Sequence, residues 1–355
     1  MYFDKKNVII KTVLISSMIF AMVTQASALV EISDFFSDFT SADVTVNSTR
    51  DIQGKAIFQL FYEETIVESQ EVPVGTIAGV AVTKVILWDN RPAKDYYTAR
   101  VSVVEGDKVL ASSSYQVSYG TVSLPNFHVV DFSPTNSGVQ LLLRPFNPSA
   151  VDIKIELLDN SDIVYSKIKE DISLTTNTEI KIAWPFLLSD NKDYIVRAKI
   201  FTHRLYAQPL INTYVAYFTA TDDVEILPDD VQVDEYGASV TVRGKSQVPF
   251  DGYIVVKATN RATNETQTFS TQMEEILVNG KEDTAGIVWK GLAPGTYDVA
   301  IQAVNRKNVT IDKYETAMRI PEYSNVSKAV SAKSTPGFEA FLFIITLAFW
   351  RFRSR

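Results

Sequence analysis

The sequence predicts an all-β protein of three tandem β-sandwich domains, with an N-terminal signal peptide before them and a C-terminal hydrophobic helix after them. Three observations carry this reading. Tryptophan and tyrosine recur as a pair: Trp88 is followed nine residues later by Tyr97, Trp184 ten later by Tyr194, and Trp289 eight later by Tyr297. After each tyrosine the apolar residues alternate (Tyr97, Ala99, Val101, Val103; Tyr194, Val196, Ala198, Ile200; Tyr297, Val299, Ile301, Ala303), the period of a strand with one buried face. No amphipathic helical window of useful length competes.

At the N-terminus, Lys5, Lys6 and Lys11 precede an uncharged apolar stretch, Thr12 to Val23, which runs into Thr24-Gln25-Ala26-Ser27-Ala28. Small residues at Ala26 and Ala28 complete a secretory signal pattern over residues 1–28, with cleavage before Leu29. A retained anchor is the alternative, and the placement of Ala-Ser-Ala favours cleavage.

The repeats set the first module at 29–120, the second at 121–220 and the third at 221–323. Upstream of each Trp–Tyr pair lies a matching strand: Ala42 to Val46, Val139 to Leu143, and Ala238 to Val242. Each leads through a turn with breakers (Asp51 to Gly54, Pro145 to Pro148, Pro249 to Gly252) into a second strand: Ala56 to Phe61, Val151 to Leu157, and Tyr253 to Lys257. Repeats of about 98 residues with some seven short strands resemble immunoglobulin-like or fibronectin-type-III-like sandwiches.

In that arrangement each tryptophan ends a strand, a loop crosses between sheets (Asp89 to Lys94, Pro185 to Lys192, Lys290 to Gly295), and the tyrosine hydrogen-bonds back to the loop as a tyrosine corner. Residues repeated at the same site in every copy read as core; the alternative is a set of aromatic platforms for sugar stacking. The acidic link Thr221 to Asp230 and the short stalk 324–335 predict a semi-rigid rod.

The C-terminus reads Pro336-Gly337-Phe338-Glu339, an apolar run from Ala340 to Trp350, then Arg351, Arg353 and Arg355. Eleven helical residues span about 17 Å against a hydrocarbon core of about 30 Å, short for a permanent span but adequate as a transient stop. The arginines set the cytoplasmic side. This tail, residues 336–355, resembles the PGF-CTERM sorting signal of archaeal surface proteins, with Pro336, Gly337 and Phe338 as the motif. The resemblance implies an archaeosortase as processing partner and a lipid attachment after the hydrophobic part is removed. A plain tail anchor is the alternative.

Composition narrows the chemistry. The chain carries 34 Lys+Arg and 42 Asp+Glu, a net −8, and the exported part from Leu29 to Phe338 has 28 basic and 40 acidic residues, a net −12. With no Lys/Arg block outside the two ends, nucleic acid is not an expected partner. The absence of cysteine excludes disulfides, Cys-ligated zinc, iron–sulfur clusters and a Cys nucleophile. Only His128 and His203 are available for imidazole chemistry, neither in a familiar nucleophile motif. No cofactor is expected.

Candidate sites remain. Sequons at Asn47, Asn264, Asn308 and Asn325 offer glycan acceptors on loops or strand edges. Asp222, Asp223, Asp229 and Asp230 bracket the second domain junction, where calcium could stiffen the joint; the Asp159-Asn160-Ser161-Asp162 segment is a second calcium candidate and also an ordinary hairpin turn. The loops Pro145-Phe146-Asn147-Pro148 and Pro185-Phe186-Leu187-Leu188 hold conspicuous apolar residues for a protein contact.

The expectation is a non-enzymatic cell-surface protein on the outer face of the cytoplasmic membrane, anchored at its C-terminus. It would act in envelope structure, adhesion or contact with an envelope or S-layer protein or glycan. A carbohydrate-binding array predicts exposed coplanar aromatics instead. A hydrolase predicts carboxylates converging in a groove.

Overall fold

Period-two alternation leaves each strand with one apolar face, and such faces are removed from water by closing two sheets on one another. The computed structural model describes residues 30–89, 96–118 and 124–322. The signal peptide with Ala26 and Ala28, the stalk with Asn325, and Pro336, Gly337 and Phe338 lie outside the described residues.

The described chain is all-β, built as three tandem immunoglobulin-like sandwiches. The first holds β1 (Val30–Ser37), β2 (Ser41–Ser48), β3 (Ile52–Tyr62), β4 (Thr65–Thr76), β5 (Val82–Leu87), β6 (Tyr96–Glu105) and β7 (Lys108–Ser118). The second holds β8 (Phe127–Pro134), β9 (Gly138–Pro145), β10 (Ser149–Asp159), β11 (Asp162–Leu174), β12 (Thr178–Ala183), β13 (Lys192–Arg204) and β14 (Ala207–Ala220). The third holds β15 (Val224–Ile226), β16 (Gln232–Val233), β17 (Gly237–Gly244), β18 (Tyr253–Asn260), β19 (Thr266–Gln272), β20 (Glu282–Val288), β21 (Gly295–Val304) and β22 (Thr310–Ile320).

One topology repeats. The second strand of each module pairs with the first and the fifth (β1-β2-β5, β8-β9-β12), and four strands form the facing sheet (β4-β3-β6-β7, β11-β10-β13-β14, β19-β18-β21-β22), every pairing antiparallel. In the third module a 3₁₀ turn at Pro228–Asp230 splits the first strand into β15 and β16, both paired to β17, with β20 on the other side. Proline removes the donor that a continuous strand would need there.

Each sandwich encloses its own apolar cluster. The first gathers residues from Val30 to Val117, the second from Phe127 to Ala220 together with Val248, and the third from Val224 to Ile320. Glycine is required where β17 begins: a Cβ on Gly237 would stand 2.3 Å from the Ile287 carbonyl oxygen.

The first two modules do not follow the expected end-to-end rod. Their sheets join in one order, β1-β2-β5-β11-β10-β13-β14, through a bridge between Asp162 and Lys84. The outward face of β2 lies on the outward face of β13 and β10, because charged and hydroxyl side chains on these faces, which look like ordinary solvent-facing positions in the sequence, find each other.

Candidate functional site

The three tryptophans are core. Trp88, Trp184 and Trp289 are 6%, 1% and 4% exposed, and Tyr97, Tyr194 and Tyr297 are buried with them. Each indole N–H donates to the chain at or just beyond the end of its module's first strand: to Ser37 Oγ at 3.0 Å, to the Thr135 carbonyl at 2.9 Å, and to the Glu235 carbonyl at 3.2 Å. The tyrosine corner is complete in the third module, where Tyr297 donates to the Ala293 carbonyl at 2.8 Å. In the second, the Tyr194 hydroxyl accepts from the Ser189 N–H at 3.3 Å. Buried indoles cannot serve as sugar-stacking platforms.

What the modules place outside their cores is a joint. On β13 the residues Val196, Ala198 and Ile200 face inward, so Arg197 and Lys199 face outward, yet Arg197 is 0% exposed. Its guanidinium contacts Asp43 of β2 at 2.8 Å (Nη1) and Glu156 of β10 at 2.7 Å (Nε) and 2.5 Å (Nη2). Lys199 Nζ lies 3.0 Å from Asp43 and 4.2 Å over the Phe36 ring, and Lys154 Nζ lies 2.7 Å from Glu156. Burial works against the Arg197 charge, but Asp43 and Glu156 outweigh it and hold its pKa above the ordinary value.

Asp38 forms the second half of this joint. It turns the chain between β1 and β2 by accepting the Thr40 and Ser41 N–H groups at 2.8 and 2.9 Å. The same carboxylate also accepts the Thr213 N–H of β14 at 2.7 Å, and the Thr213 hydroxyl. Asp38 therefore satisfies a backbone donor on the terminal strand of the shared sheet, blunting that edge. Burial pushes the Asp38 carboxyl up, against the pull of these donors, and burial with the nearby Asp38 charge pushes Tyr214 up to about 12.

The joint between the second and third modules has other chemistry. Leu188 donates its N–H to the Gln247 carbonyl at 3.0 Å, Gln247 donates its own to the Asn136 carbonyl at 3.0 Å, and the Gln247 side chain donates to the Trp184 carbonyl at 2.9 Å. Val248, 1% exposed, enters the apolar cluster of the second module. The Pro185 to Leu188 loop thus meets the next module of the same chain, with Leu188 buried and Leu187 exposed. Phe146 of the other apolar loop remains exposed.

The structure does not gather the four junction aspartates. Asp222 accepts from Asn305 Nδ2 at 3.2 Å, and burial holds its pKa above the ordinary value. Asp223 engages through its backbone carbonyl, which accepts the Lys245 N–H, while Asp229 and Asp230 are exposed on the 3₁₀ turn. In the Asp159 to Asp162 turn both carboxylates pair with lysines, Asp159 with Lys192 and Asp162 with Lys84 across the first joint.

Among the described sequons, Asn264 and Asn308 are exposed at turns, each in the left-handed backbone region. Asn47 departs from expectation: it is half-buried on β2, which is paired on both sides by β1 and β5, and not on a loop or edge. His128 is exposed on β8. His203 is not isolated, since its Nε2 lies 2.9 Å from Asp152 Oδ2, with Asp171 beside them. Sequence reading missed this grouping because the three residues are far apart in the chain and meet only through the strand register.

No protein-family model and no curated protein matches the chain. Among solved structures it is similar to the chicken interferon gamma receptor alpha chain, at 12% identity and a TM-score of 0.34, over 56% of this chain and 98% of that one. It is also similar to the tetra-tandem repeat in the extending region of a large adhesion protein, at 12% identity and a TM-score of 0.25, over 82% and 73%. Neither likeness bears on activity.

Proposed function

We propose that this chain is a non-catalytic, exported surface protein that works by protein–protein contact, its three sandwiches held in a set geometry and its C-terminus anchored at the membrane. The observation that supports this reading is the first joint. Arg197, Asp43, Glu156 and Lys199 are desolvated between two modules that each already have a complete core. Ion pairs removed from water confer little net stability but discriminate strongly against other geometries. A chain that fixes the angle between modules in this way presents its loops and strand edges as one surface. The anchored part of the reading rests on the Pro336-Gly337-Phe338 tail and its resemblance to archaeosortase substrates.

Fractionation and intact-mass analysis of the native protein test the reading. The expected result is a detergent-phase, surface-accessible protein with termini at Leu29 and near Gly337. Recovery of the full chain from the aqueous cytosol with residues 1–28 still attached would overturn it.

A further inference from the structure

We infer that Asp152, Asp171 and His203 form a divalent transition-metal site, of the kind zinc occupies, at one end of the second module. The three side chains come from β10, β11 and β13, and one ligand atom from each lies within 4.8 Å of the other two. An imidazole nitrogen among two carboxylates sets this group apart from the exposed acidic pairs elsewhere on the chain. Nitrogen and oxygen donors together suit zinc, whereas calcium takes oxygen alone.

The backbone brings the donors together. The register of β10 on β11 shifts between Val151 and Ile153, and that of β13 on β14 shifts between Thr202 and Arg204, so Asp152 and His203 sit at irregularities on neighbouring strands. Asp152 is oriented by the backbone of a fellow member of the group: its Oδ1 accepts the Asp171 N–H at 2.8 Å, leaving Oδ2 facing His203 Nε2 at 2.9 Å. No described residue donates a hydrogen bond to the Asp171 carboxylate, so that donor is uncommitted. Zinc–ligand bonds of about 2.0–2.2 Å place tetrahedral ligand atoms about 3.3 Å apart, which side-chain rotation of exposed groups can reach from the observed spread.

Binding replaces the proton between Nε2 and Oδ2 with the metal. The imidazole coordinates through Nε2 as the neutral tautomer carrying its proton on Nδ1, and any proton displaced from a protonated ring passes to solvent. Three protein donors at an exposed position leave a fourth coordination site for water or for a donor from a partner.

The test uses the untagged chain, because its two histidines give a built-in control. Zinc chloride is titrated into the protein by calorimetry, and the imidazole proton resonances are followed in parallel. One zinc per chain is expected, moving the His203 resonances and leaving those of His128 in place. Asp171→Asn and His203→Ala should each weaken binding at least about tenfold, with unchanged circular dichroism confirming that the exposed substitutions leave the fold intact. Equal shifts at both histidines, or a zinc affinity indifferent to His203→Ala, would mean an adventitious ion only and would overturn the assignment.

Discussion

Between the first and second modules the contact is made by buried charged side chains on outward strand faces, whereas between the second and third it is made by a loop that lends backbone groups, one side-chain amide and one valine to its neighbour, with a solvent-exposed ion pair, Lys307 with Asp190, beside it. Arg197 must be stripped of water before it meets Asp43 and Glu156, and the return comes only when all three are in register. Val248 needs no register: it is removed from water wherever the apolar cluster of the second module will admit it. The first joint therefore selects a geometry, and the second contributes cohesion.

The largest break in that comparison comes from Arg197→Ala. It leaves Asp43 and Glu156 buried without their guanidinium, and the expected loss is about 3–5 kcal/mol in denaturant unfolding. Replacing Arg197, Asp43, Glu156 and Lys199 together by apolar residues of similar volume should restore most of that loss. A single-variant cost below about 1 kcal/mol would show that the joint opens in solution.

Next in size is Val248→Ala, with an expected loss of about 2 kcal/mol from removing buried methyl groups. The residue belongs to the third module in sequence, yet the effect should appear in the unfolding of the second, read from the fluorescence of Trp184 in the same cluster. An effect confined to the third module would mean that the loop does not plug its neighbour. Tyr297→Phe removes one hydrogen bond, to the Ala293 carbonyl, and should cost about 1 kcal/mol by thermal unfolding. The same change at Tyr194, whose hydroxyl accepts a longer bond from Ser189, should cost less.

The contrast between joints also marks what a sequence can disclose. Trp184, Tyr194, Val196 and Ala198 were legible because core positions repeat at period two and recur in each copy, so pattern alone fixes their side of the strand. Arg197 and Lys199 obey the same period on the opposite face, and a charged residue there reads as solvated. Nothing local separates an outward arginine that meets water from one that meets another module. Asp38 shows the limit most clearly. Asp234 holds the equivalent turn of the third module, accepting the Tyr236 and Gly237 N–H groups at 2.7 and 2.9 Å, yet only Asp38 also accepts from another module, through Thr213. The turn role follows from the type of residue; the docking role depends on which face lies opposite.

Asp38→Asn isolates that second role, and its smallest expected signature is a slope with pH. Asparagine can still accept from Thr40 and Ser41, but its amide would turn a donor toward the Thr213 N–H and hydroxyl. Because burial raises the folded pKa of Asp38 above its ordinary value of 3.8, its contribution to stability is fully present below that value and is lost as pH rises through the folded one. The melting-temperature gap between wild type and Asp38→Asn should therefore be widest below pH 3.8 and narrow toward neutrality. Asp234→Asn supplies the turn-only reference. A wild-type advantage that grows as pH rises would mean that the donors of Thr40, Ser41 and Thr213 outweigh burial, and a gap that stays flat with pH would mean that the Asp38 carboxylate is well solvated and that the edge of β14 is left open by the first module.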